Sequence, residues 1–167
     1  MKKKILQISL ASLFLSSSAF SVAPSVTASQ TLSMVINSSS NITTSGNPGT
    51  LTVTLNPDGT GTSTDATTTY TVVSNTGASG KLKVTGAITT GGAMPANTAL
   101  TINLASTRGT SAGVQTLGTS TTDLVTNIPT LVSDTGAINY GFTVTNGWAI
   151  PAQTLNRTVT LTLTSAS

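Results

Sequence analysis

A chain of 167 residues with no His, no Cys and only four acidic side chains lacks most of the groups that carry acid–base, thiol or His/Cys-metal chemistry. Its formal charge of +3 belongs to Lys2, Lys3 and Lys4; beyond them Lys81, Lys83, Arg108 and Arg157 balance Asp58, Asp65, Asp123 and Asp134. A neutral remainder gives no basic face for nucleic acid, and with no disulfide to staple it, the fold must rest on its core and its backbone pairing.

The chain opens with a basic start, an apolar run from Ile5 to Leu15, and small residues ending in Val26-Thr27-Ala28. That order is the pattern of a secretory signal peptide, and the run is too short to span a bilayer. Cleavage is expected after Ala28, because a cut after Ala23 would set Pro24 beside the scissile bond. Residues 1–28 are thus read as a cleaved signal and residues 29–167 as one exported domain with no membrane span.

From Gln30 onward the dominant pattern is period-two alternation, the mark of half-buried strands. Leu32, Met34 and Ile36 alternate from Gln30 to Asn37, followed by a flexible Ser38-Ser39-Ser40. This segment reads first as an ordinary first strand of the sandwich, paired within its own sheet. Its alternation also suits donation to the open edge of a neighbouring subunit, a heterologous contact that grows fibres.

Further strands are expected at Thr50–Leu55, Tyr70–Val73, Leu82–Ile88, Leu100–Leu104, Asp123–Val125, Ile138–Val144 and Thr158–Thr164. Turn residues separate them: Asn47-Pro48-Gly49, Asn56-Pro57-Asp58-Gly59, Gly77 to Gly80, Gly91-Gly92, Ser133-Asp134-Thr135-Gly136 and Asn146-Gly147. Gly accepts positive φ, and Asn and Asp bond their own backbone. No segment sustains a 3.6-residue period, and the abundant Thr and Val disfavour helix. The expectation is an all-β fold, an antiparallel immunoglobulin-like sandwich of about 7–9 strands. Long connections are expected at Gly59–Thr67 and Thr107–Thr122.

Three stretches invite a site reading. Asp58 to Asp65 offers carboxylates and hydroxyls to a calcium ion, but lacks the ligand spacing of an EF-hand; it reads as a polar hairpin loop, and no metal or cofactor is assigned. Asp134-Thr135-Gly136 resembles the aspartic protease tripeptide, yet a dyad needs a second copy and a cleft; a turn is the simpler reading, and no catalytic residue is assigned. Trp148, the only Trp, reads as a core plug against Phe142, with contact to a partner or a sugar as the alternative.

Taken together, the signal peptide, the segment Thr31-Leu32-Ser33-Met34-Val35-Ile36, the Met94-Pro95 step before a strand and the closing Thr158–Thr164 strand resemble small exported bacterial β-sandwich surface subunits. Among these the chain is most similar to the Cys-free fimbrial major subunits (pilins) of the alternate chaperone–usher class. The resemblance implies a non-enzymatic structural protein of a surface filament or layer. It also implies self-association through Leu32, Met34 and Ile36, a periplasmic chaperone as a transient partner, and a location in the periplasm or at the cell surface. It carries over no catalytic or ligand-binding residue. The rival expectation is a monomeric exported module that binds carbohydrate or another surface component, with Trp148 as its contact.

Overall fold

The computed structural model describes residues 30–77 and 80–166. The signal-peptide reading, and the middle of the Gly77–Gly80 turn, lie outside those residues. The chain divides into two units, Met1–Val35 and Ile36–Ser167. Of the first, only Gln30–Val35 is described, and it carries no regular secondary structure.

The second unit is an antiparallel β-sandwich. Its strands are β1 (Ser40–Thr44), β2 (Gly61–Asn75), β3 (Lys81–Thr90), β4 (Thr98–Leu104), β5 (Thr110–Ser111), β6 (Gln115–Thr116), β7 (Thr122–Ile128), β8 (Leu131–Val144) and β9 (Thr158–Ala166). One sheet has the order β1-β2-β8-β4-β6 and the other β5-β7-β3-β9. A 3-10 turn, Gly147–Ala149, follows β8.

In β2, β4 and β8 alternation in the sequence becomes alternation in burial. Tyr70, Val72, Ile102, Leu104, Ile138 and Tyr140 face inward from the first sheet. Leu82, Val84, Ile88, Leu124, Val125 and Ile128 meet them from the second. Thr fills the outward positions, where its β-branch fits a pleated surface and its hydroxyl reaches its neighbours, as in the Thr71–Thr135 and Thr89–Thr160 pairs at 2.9 and 2.8 Å.

The pairing register fixes two ends of the sandwich. At the proximal end Ser40 pairs with Ser74, Asn75 with Leu131 and Lys81 with Ala166. At the distal end Gly61 and Thr98 both pair with Val144, and Thr90 pairs with Thr158.

Several expected elements differ. The expected strand over Gln30–Asn37 is absent, and the first strand is instead Ser40–Thr44, which includes a residue read as linker. Thr50–Leu55 is not a strand, although Leu51 and Val53 still turn half inward. It runs beside the start of β2, where Asn56 N donates to Thr60 O at 2.7 Å and Gly49 N to Asp65 Oδ2 at 3.2 Å. A bulge in β2 between Asp65 and Thr68 breaks the regular ladder there. The long connection expected at Gly59–Thr67 is mostly strand, since β2 begins at Gly61.

The largest departure is Ser133 to Gly136, expected as a turn and found inside β8. Asp134 points inward and is 3% exposed. Its carboxylate accepts the Ser106 hydroxyl at 2.6 Å, the Thr107 hydroxyl at 2.6 Å and the Thr107 N–H at 3.4 Å. Burial by itself pushes this carboxyl up, but those hydroxyl and amide donors together hold it below the ordinary carboxylate value. A depressed folded pKa stabilises fully above the unfolded value of about 3.9 and is lost as pH falls through the folded value. Asp134→Ala is therefore expected to lower stability at neutral pH by about 2–4 kcal/mol, because it strands two hydroxyls and removes charged hydrogen bonds. Asp134→Asn should flatten the acid side of the stability curve; a urea titration from pH 7 to pH 3 measures both effects.

Candidate assembly groove

β1 and β9 touch each other across the two sheets. The core is left open beyond that contact, between Thr50–Leu55 and the start of β9. Along it the inward side chains are only partly covered: Ile42 and Leu51 on one lip, Val159, Leu161 and Leu163 on the other. Native cores hold few voids larger than a water, so a row of half-buried aliphatics along one seam is a core left unfinished.

The space is large. A groove of about 1180 Å³ occupies the distal part of the seam, with Leu100, Ile138 and Phe142 on its floor. A smaller one of about 250 Å³ lies at the proximal end, between Ser40, Leu82 and Leu163–Ala166. Both are bordered by β9, the larger by its first residues and the smaller by its last. Inside the groove Thr68 Oγ1 is buried without a hydrogen-bond partner.

The edges of the sandwich are unequal. β5 and β6 have 2 residues each and β1 has 5. β9 has 9, Thr-Val-Thr-Leu-Thr-Leu-Thr-Ser-Ala, with no charge and no Pro. It pairs with β3 on one side only. Natural sheets blunt such edges with charges, Pro, bulges or brevity. The outer edge of β9 has none of these.

Leu32, Met34 and Ile36 are 78%, 81% and 89% exposed. They belong to no strand, and the reading as an ordinary first strand of the protein's own sheet gives way to that finding. The root of the segment is tied down. Asn75 Nδ2 donates to Asn37 O at 3.2 Å, Ser39 N donates to Asn75 Oδ1 at 2.6 Å, and Asn75 N donates to Ser39 O at 3.0 Å. These bonds continue the line of β1 along β2.

The other candidate residues are dispersed. Trp148 is 71% exposed and not a core plug. It sits on the 3-10 turn at the distal end, over Gly59, where any Cβ would meet the indole at 2.7 Å. Gly147, not Trp148, is the buried member of the turn, and Leu55 packs against it. A Gly-Trp pair at a strand end therefore marks a tight backbone approach, with the indole turned outward.

Asp58 and Asp65 each close their own turn. Asp58 Oδ1 accepts the Thr60 hydroxyl and amide at 2.7 and 2.9 Å. Asp65 Oδ1 accepts the Thr67 amide and hydroxyl at 3.0 and 2.8 Å. Those bonds lower both carboxyl pKa values, led by the Thr60 hydroxyl at Asp58 and the Thr67 amide at Asp65. Among the described residues no cluster of three His, Cys, Asp or Glu side chains is suited to a metal, and no helix is long and apolar enough to cross a membrane.

Comparisons with protein-family models, with curated proteins and with solved structures return no match to this chain.

Proposed function

We propose that the protein is a non-enzymatic structural subunit of a bacterial surface filament or layer, exported by its N-terminal signal and assembled by β-strand exchange. The observation that carries this reading is the long, unblunted edge of β9 beside an open seam of the core. The occupant is the N-terminal segment of another copy. At about 3.3 Å per residue, Gln30 to Asn37 spans about 26 Å, close to the roughly 30 Å of β9.

Side-chain spacing also fits. Val159, Leu161 and Leu163 face the seam at every second position, and Leu32, Met34 and Ile36 repeat with the same period. Burying these three knobs is worth on the order of 5–9 kcal/mol at roughly 1.5–3 kcal/mol each, and the backbone bonds to β9 add to that. A chaperone that lends a strand to the same seam would keep the free subunit from aggregating in the periplasm.

The exposure of Trp148 favours the rival reading of a monomeric carbohydrate-binding module. Tyr70 and Tyr140 are buried in the core, however, and Phe142 lines the groove, so among the described residues no other exposed aromatic accompanies it. To test the proposal, material sheared from the cells that make the protein would be run on a denaturing gel, with and without boiling. A ladder that collapses on boiling to one band near the mature mass is the expected result. A monomer band in both lanes would remove the filament reading.

A further inference from the structure

Strand exchange leaves one question of geometry: which way the donated segment runs. If it runs antiparallel to β9, its Asn37 emerges at the acceptor's distal end. If it runs parallel, Asn37 emerges at the proximal end. The body of the donor follows immediately. Asn75 pins Asn37 and Ser39 to the proximal end of their own domain, and β1 begins at Ser40. There is no slack, so whichever end of the acceptor the segment leaves must abut the donor's proximal end.

Every strand pairing in both sheets is antiparallel, and a parallel ladder is slightly weaker per residue. A parallel insertion would also set two proximal ends against each other, a reciprocal pairing that closes as a dimer. The antiparallel insertion sets distal end on proximal end and repeats without closing.

The exposed large apolar side chains follow the same division. Leu55 and Trp148 are at the distal end, while Val73 and Leu131 lie near the proximal end at 49% and 67% exposure. Apart from the N-terminal segment, only Val114 falls elsewhere among the described residues. Exposed apolar groups gathered at two surfaces mark interaction sites.

Resting on the strand-exchange reading, we infer that the distal end of each subunit, which carries the exposed Trp148, docks on the Leu131 end of the next copy. The occupant of the Trp148 surface is thus a second copy of this chain and not a glycan.

Because Trp148 is the only Trp, its fluorescence reads this contact directly. The measurement compares purified filaments with the Met34→Asp monomer and with filaments of Leu131→Asp. The expected result is a blue-shifted emission and loss of acrylamide quenching in filaments, with both reverting toward the monomer in Leu131→Asp. Filaments whose Trp148 remains as quenchable as in the monomer would overturn the docking while leaving strand exchange standing. A blue shift unchanged in Leu131→Asp would overturn the assignment of the Leu131 end. If the unmodified protein forms no filament at all, the underlying reading fails and this one falls with it.

Discussion

Met34→Asp is expected to abolish polymer formation while leaving the sandwich folded. Met34 is the middle knob of the N-terminal segment and is 81% exposed, so its replacement costs the isolated domain nothing. In the acceptor it would enter the groove beside Leu161, over a floor that includes Leu100 and Ile138. An aspartate there would be a buried carboxylate with no partner. Such groups cost several kcal/mol even after relaxation, and the apolar contribution of the Met side chain, about 1.5–3 kcal/mol, is lost as well. The two together are enough to cancel the three-knob gain. The check is the unboiled gel ladder for assembly, with circular dichroism and a urea titration for the fold. A Met34→Asp protein that forms normal ladders would end the strand-donation idea.

Gly136→Ala is expected to be the most damaging small change within the domain. A Cβ at this position would collide with the carbonyl oxygen of Ala105 and come within 2.8 Å of the Tyr70 ring. That carbonyl accepts the Tyr70 hydroxyl at 2.8 Å, and Tyr70 is itself 1% exposed. Neither neighbour can retreat, because one is backbone and the other is locked in the core. Overpacking plus the strained buried hydrogen bond should cost about 3–5 kcal/mol, a large share of an ordinary domain's 5–15 kcal/mol. Gly118→Ala is the control. Its Cβ would meet nothing closer than Ser120 N at 4.0 Å, and its effect should stay within about 0.5 kcal/mol. Thermal melts of the two variants would separate them clearly.

The same residue shows where sequence reasoning stops. Strands such as Leu100–Leu104 and Thr158–Thr164 were legible because their pattern depends only on alternate residues of one segment facing one core. Ser133-Asp134-Thr135-Gly136 has turn composition, but its role is set by Ala105, Ser106 and Thr107, which lie some 30 residues earlier. Those partners turn Asp and Gly into an anchor and a gap inside a strand, and nothing local announces it. Ser40–Thr44 was missed for a related reason: with Ile42 as its one inward apolar residue, it is a strand mainly because β2 offers it a ladder.

The groove lies between these cases. Its lips, Leu51, Val53, Val159 and Leu161, were all visible as alternating apolar positions. That no strand of the same domain lies between them is a property of topology, and counting strands in the sequence does not reveal it. Trp148 was misplaced because burial averages over residue types say nothing about a turn whose buried member is the neighbouring Gly147.

The open seam also bears on thermodynamics. A domain whose aliphatics along β9 stay partly in water has already surrendered part of its unfolding heat capacity, since that quantity tracks the apolar surface newly exposed. The free domain should therefore show a shallower denaturant dependence than its length implies. Were the proposed strand exchange to fill the seam, the same chain would gain surface to expose and a neighbour to release. Its resistance would then be a matter of rate, set by how slowly a strand can be withdrawn, and no longer of equilibrium.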